Sequence, residues 1–151
     1  MEDNAEICPD WLIVITHKHS EKQALSHLKM QNFRAYCPVS LKIIRHARQN
    51  RSELLPFFPG HIFVESPPEP AIWRPIRSTQ GVKHIMMKGA KPALLTAKII
   101  DCLKAHEAYG ALQKCLSSSG KCQNSYFDST LLKMFDLTEN DRTLLLLSYS
   151  N

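Results

Sequence analysis

The residues of this 151-residue chain best equipped for chemistry are its histidines, cysteines, carboxylates and cations, and their spacing argues for binding over catalysis. His17 and His19 form an H-x-H pair, but no third ligand follows at a spacing that would complete a metal site. The five cysteines, Cys8, Cys37, Cys102, Cys115 and Cys122, are odd in number and contain no CxxC pair. That is the pattern of free thiols in a reducing compartment, with neither a disulfide framework nor a zinc knuckle. Glu65 and Glu69 lie beside a proline-rich loop without an evident partner acid or base. The chain has no Gly-rich phosphate loop, no G-x-S-x-G and no H-E-x-x-H. The expectation is a protein that is not an enzyme, with no cofactor and no metal.

The cations carry more information. Net charge is +5, and residues 11–60 hold eight Lys and Arg against only Glu21 and Glu53. Residues 71–105 hold seven against Asp101, whereas the first ten residues are acidic. Positive charge concentrated in the first two thirds points to a phosphate backbone as partner, although a solvated surface has the same composition. A hydrophobic share of 44% with 22% charged residues suits a globular core. No window approaches the roughly 18 apolar residues of a membrane span, and the acidic start lacks the layout of a secretory signal. A cytoplasmic monomer that avoids membranes is expected.

The elements that would position these groups follow from periodicity. Trp11-Leu-Ile-Val-Ile15 reads as a buried strand. Ser20 opens a helix with Gln23 as its capping-box partner, Ala24, Leu25 and Leu28 form its apolar stripe, and Asn32 closes it in a left-handed cap. Phe33 to Cys37 alternates as a strand ended by Pro38. Residues 41–44 and 54–57 read as two hairpin arms around a basic tip, His46 to Arg51. Pro59-Gly60 turns into a strand over His61 to Glu65, and Pro67, Pro68 and Pro70 force a loop. Ala71 to Arg77 gives one or two helical turns, Val82 to Lys88 a strand, and Thr96 caps a helix to about Glu107 on the stripe Ile99, Ile100 and Leu103. This succession of strands and helices predicts an α+β fold, an antiparallel sheet of about four strands packed with helices. Ser117-Ser-Ser-Gly120 marks a linker. The division is an acidic arm over 1–9, a domain over 10–107, a linker over 108–125 and a tail over 126–151.

Four stretches together resemble the NGN domain of the NusG/RfaH family of transcription elongation and antitermination factors. They are Trp11-Leu-Ile-Val; Lys22-Gln-Ala-Leu-Ser-His-Leu28 leading to Phe33 and Pro38; Phe57-Phe-Pro-Gly-His-Ile-Phe-Val64; and Trp73-Arg-Pro-Ile-Arg-Ser-Thr-Gln-Gly-Val82. The basic hairpin tip makes the chain look nearer to the RfaH-like specialised paralogues. The resemblance implies binding to the clamp helices of the largest catalytic subunit of bacterial RNA polymerase. Ile15, Phe58, His61, Ile62 and Phe63 match the docking surface, and Trp73 and Arg74 stand where RfaH carries its polar gate-loop motif. The family usually has Tyr where this chain has His61. The resemblance also implies contact with the non-template DNA strand through His17, Lys18, His19, Lys22 and Gln23, joined by Arg77, Ser78, Thr79 and Gln80. The tail resembles only the middle of a KOW barrel, since five strands do not fit in 26 residues. A truncated or degenerate KOW segment argues against the family's ribosome or Rho contact.

A single-stranded RNA-binding module of RRM type is the alternative, because it shares the α+β sheet and the basic charge. Its Lys/Arg-Gly-Phe signature is absent.

Overall fold

The computed structural model describes residues 9–69, 72–108, 143–145, 148 and 150. Nearly all of the acidic arm, the linker and most of the tail therefore lie outside the described residues. The elements in chain order are β1 Trp11–Thr16, α1 Glu21–Met30, β2 Ala35–Tyr36, β3 Val39–His46, β4 Gln49–Pro56 and β5 His61–Glu65. They are followed by α2 Trp73–Ser78, β6 Val82–Ile85, β7 Met87–Lys88, β8 Lys91–Pro92, β9 Leu94–Leu95 and α3 Ala97–Ala108.

The antiparallel α+β architecture expected from the pattern is present. The main sheet runs β2-β5-β1-β6, and β9 continues the β6 edge of β1. It has five strands where about four were expected. The fifth exists because β6 ends at Ile85, the short β7–β8 hairpin intervenes, and Leu94–Leu95 returns to pair with Trp11 and Leu12. Two-residue strands of this kind are held by backbone bonds and leave no periodic signature.

The apolar run in β1 follows from its position. Leu12 and Val14 pack with Ala24 and Leu28 of α1 and Ile76 of α2, whereas Trp11 and Ile13 pack with Ile100 and Leu103 of α3. Side chains alternate across a strand, so a strand covered on both faces is apolar at every position. β5 alternates likewise, with Ile62 and Val64 toward α1 and α2 and Phe63 toward α3. The sheet is the middle of three layers.

Local detail corrects two expectations. Ser20 is the N-cap of α1 but its side chain makes no capping hydrogen bond, so the Ser20–Gln23 capping box does not form. Asn32, at φ 64°, does take the left-handed conformation expected of it. The hairpin is longer than 41–44 and 54–57: β3 and β4 pair from Val39↔Pro56 to His46↔Gln49 around a two-residue turn. The basic segment is therefore mostly strand and not a loose tip. Phe57 leaves β4 altogether and joins the α3-side core, its ring edge-on to Phe58 at 4.9 Å.

Candidate functional site

Three chain segments converge at the C-terminal end of β1. The Thr16 amide donates to the Gly60 carbonyl at 2.9 Å, and the His17 amide donates to the Gly81 carbonyl at 2.9 Å. Gly81, at φ 93°, lets the chain approach α1: a Cβ there would lie 3.1 Å from both Cβ and N of Ala24. Glu21, only 7% exposed, accepts the Gly60 amide at 2.8 Å through its carboxylate. The first turn of α1 is thereby locked to the turn before β5.

This convergence gathers the cations. His17, Lys18 and His19 are exposed in the turn after β1, and Lys22 and Gln23 are exposed on α1. Arg77 and Ser78 at the end of α2, and Gln80 after it, are exposed on the segment that leads to Gly81. Thr79 is different. It is 5% exposed, donates its hydroxyl to the Pro75 carbonyl at 2.8 Å and accepts the Gln31 side-chain amide at 3.0 Å. Its hydroxyl closes α2 and is committed to these two partners. Among the described residues no group of three or more His, Cys, Asp or Glu could hold a metal ion.

The seven residues expected to meet polymerase, five at the docking surface and two at the gate, do not form one surface. Ile15 and His61 are directly opposed in the β1–β5 register and half-buried, so they share the α3 face. Phe58 and Phe63 are on that side but have no exposed area, their rings edge-on at 5.8 Å within the core. Ile62 is opposed to Val14 and fully buried beneath α1 and α2, on the other face of the sheet. Trp73 packs half-buried against that same cluster, and Arg74 is exposed on α2. Period-two alternation separates Ile62 from Ile15, and of the five residues on β1, on β5 and in the turn before it, burial leaves only Ile15 and His61 accessible.

His84 is a further member of this face that no local pattern in the chain announces. It is opposed to Ile15 across the β1–β6 pair and is exposed. His61, Ile15 and His84 thus form one row across three strands. His61 Nδ1 lies 2.8 Å from the Pro59 carbonyl, to which it donates as the N–H tautomer. Burial pushes the His61 imidazole below its ordinary range, against the opposing pull of that hydrogen bond and of the Glu21 charge.

At the other end of β1, Lys104 Nζ sits 4.7 Å above the Trp11 ring and 5.5 Å from that of Tyr36. The Tyr36 phenol donates to the Glu107 carboxylate, and burial, with that partner's help, raises it above its ordinary range. These contacts fasten α3 to the sheet. Cys37 and Cys102 are free thiols, and burial pushes the Cys37 thiol up to about 12, which makes it inert.

The profile of the family described as transcription termination factor NusG matches residues 9–104. The chain belongs to the NusG family. The stretch shared with that family contains the whole main sheet, all three helices except the last residues of α3, and every residue of the convergent end. A solved structure described as domain interaction in Thermotoga maritima NusG is similar to this NusG-family chain at 16% identity and a TM-score of 0.46, covering 76% of this chain. This chain spans 62% of that one's length. Among the described residues no helix is long and apolar enough to cross a membrane.

Proposed function

We propose that the chain is a transcription elongation and antitermination factor of the RfaH-like kind. It rides on bacterial RNA polymerase and touches the non-template DNA strand. The observation that carries this reading is the NusG-family match over residues 9–104, the same stretch that holds the convergent basic end. In this reading Ile15 and His61 dock against the clamp helices of the largest catalytic subunit. Phe58 and Phe63 support that surface from below. Arg74 reaches toward the polymerase gate from the other face. His17, Lys18, His19, Lys22 and Gln23, with Arg77, Ser78 and Gln80, follow the single strand. Ile15 lies only two residues before His17, so one bound pose satisfies docking and strand contact together.

The basic residues suit this role because they surround one end of the sheet with little acid: Glu21, the carboxylate nearest to them in sequence, is turned inward onto Gly60. Lys and Arg supply phosphate attraction, while Gln and Ser hydrogen-bond base edges. The test is co-elution of the full chain with core RNA polymerase on size exclusion, repeated with Ile15→Asp. Co-elution that Ile15→Asp abolishes in a folded protein is the expected result. Failure of the parent chain to co-elute would overturn the polymerase reading.

A further inference from the structure

We infer that the β3–β4 ribbon is a second nucleic-acid contact, a cationic finger shaped for the groove of duplex DNA. The ribbon pairs with no other strand among the described residues, and its two strands are joined from Val39↔Pro56 to His46↔Gln49. At about 3.3 Å per residue, eight residues make an arm of roughly 25 Å. From Leu41 to Leu54 every residue whose side chain is described is exposed, except half-buried Ile44. The arm stands clear of the three-layered core.

Its charge is distributed in a specific way. The ribbon's one acid, Glu53, is opposed to Lys42. Arg45, Arg48 and Arg51 are exposed and make no ion pair among the described residues. Arg45 is opposed to Asn50 and Arg51 to Ile44, one position apart in register, so the two arginines point from opposite faces of the ribbon. Arg48 occupies the turn between β3 and β4. A flat anionic surface would be met by charge on one face only. A tip charged on both faces and at its end matches a cleft with phosphates on both walls.

That cleft is the major groove of B-form DNA, about 12 Å wide, which admits a two-stranded ribbon. The A-form groove of duplex RNA is deep and too narrow for it. The arm is distinct from the end of the sheet proposed for the non-template strand, since β3 begins 16 residues after Gln23 and shares none of its residues. Between them the two basic regions would hold a single strand and an adjacent duplex.

The experiment uses the full chain without polymerase, so its outcome is independent of polymerase docking. Fluorescence anisotropy is followed with labelled duplex DNA of about two helical turns, single-stranded DNA of the same length and duplex RNA, over a series of salt concentrations. Each phosphate contact contributes about 0.9 to the slope of log affinity against log salt, so R45Q/R48Q/R51Q should flatten the duplex-DNA slope by about 2 to 3. Its duplex affinity should fall about tenfold or more at low salt, with single-stranded binding little changed. The charge-conserving R45K/R48K/R51K should keep the parent slope, which separates lost charge from a lost fold. An unchanged slope in the glutamine variant overturns the proposal. So does an equal loss on single-stranded DNA or duplex RNA, which would mark general charge attraction without groove recognition.

Discussion

Ile15 on β1 and His61 on β5 stand directly opposite each other on the α3 face of the sheet, both half-buried, with Ile15 packed against the apolar cluster on that side. His61 occupies the position where the resembling family usually carries Tyr, and an imidazole offers less apolar area than a phenol ring. An aromatic anchor at the centre of a small interface contributes on the order of 1 kcal/mol or more beyond a smaller side chain. His61→Tyr should therefore tighten binding to core polymerase by roughly fivefold, read by titration of labelled protein. Unchanged or weaker binding by a folded variant would remove His61 from the docking surface.

The same histidine makes stability depend on pH. Its folded-state pKa lies below the ordinary 6.5, chiefly through burial. Between these two values the unfolded chain binds more protons than the folded one, so stability rises with pH and is fully present above the unfolded value. The groups facing the ring moderate the effect, because the Pro59 carbonyl and the Glu21 charge both favour the imidazolium. The melting temperature should fall between pH 7.5 and pH 5.5, and His61→Phe should shrink that fall. Parallel pH profiles for the two proteins would show that His61 does not titrate in this window.

Much of this arrangement was legible in the chain. The unbroken apolar run from Trp11 announced a buried strand, and Ser20 and Asn32 marked both ends of α1. The alternation His61, Ile62, Phe63 also held the information that adjacent residues face opposite layers. A resemblance carried position by position has no face, so it joins Ile62 to Ile15 where the alternation parts them. Other features left no local trace. Thr79 is a typical exposed polar residue in composition, and only the partner Gln31, 48 positions away, reveals that its hydroxyl is committed. Glu21 reads as an ordinary first-turn acid, and its bond to Gly60 depends on where β5 begins. The histidine opposite Ile15 on β6 depends on a pairing between distant strands.

Burial decides what two substitutions do. Phe58 has no exposed area and its ring is edge-on to both Phe57 and Phe63. Phe58→Ala should cost about 3–5 kcal/mol of stability, a loss that appears in denaturant melts before any binding defect can be assigned. Gly81→Ala combines a left-handed φ of 93° with a Cβ pressed 3.1 Å from the α1 backbone, and should cost on the order of 1–3 kcal/mol. Gly60→Ala, with nothing within 4 Å, should cost less. If the two glycine variants melt together, the close approach of Gly81 to α1 carries no energetic weight.

Charge reversal at Lys18, Lys22 and Arg77, all exposed, should weaken crosslinking to the non-template strand in an assembled elongation complex while leaving retention on core polymerase nearly unchanged. The division is expected because none of the three lies on the α3 face with Ile15. Retained crosslinking would reassign the strand contact elsewhere. Loss of polymerase retention in step with crosslinking would mean that docking and strand contact are not separable.

Two of the described tail residues, Leu145 and Ser150, contact the domain. Leu145 packs half-buried against the α3-side cluster, which also borders Ile15, Phe58 and Met86. Lys88 of β7 donates to the Ser150 carbonyl at 2.9 Å. A segment that occupies part of a docking surface must leave before the partner arrives, and apparent affinity is the intrinsic affinity multiplied by the fraction of time the surface is free. Truncation after Tyr109 should therefore raise affinity for core polymerase, and Leu145→Asp in the full chain should reproduce most of the gain. The point variant matters because truncation also removes Leu144, which is largely exposed and promotes association in its own right. A melting temperature lowered in Leu145→Asp with affinity unchanged would mean that the tail contributes packing and hides nothing. Affinity raised in both proteins, with the truncated form monomeric, would make the tail a cover over the face of Ile15 and His61.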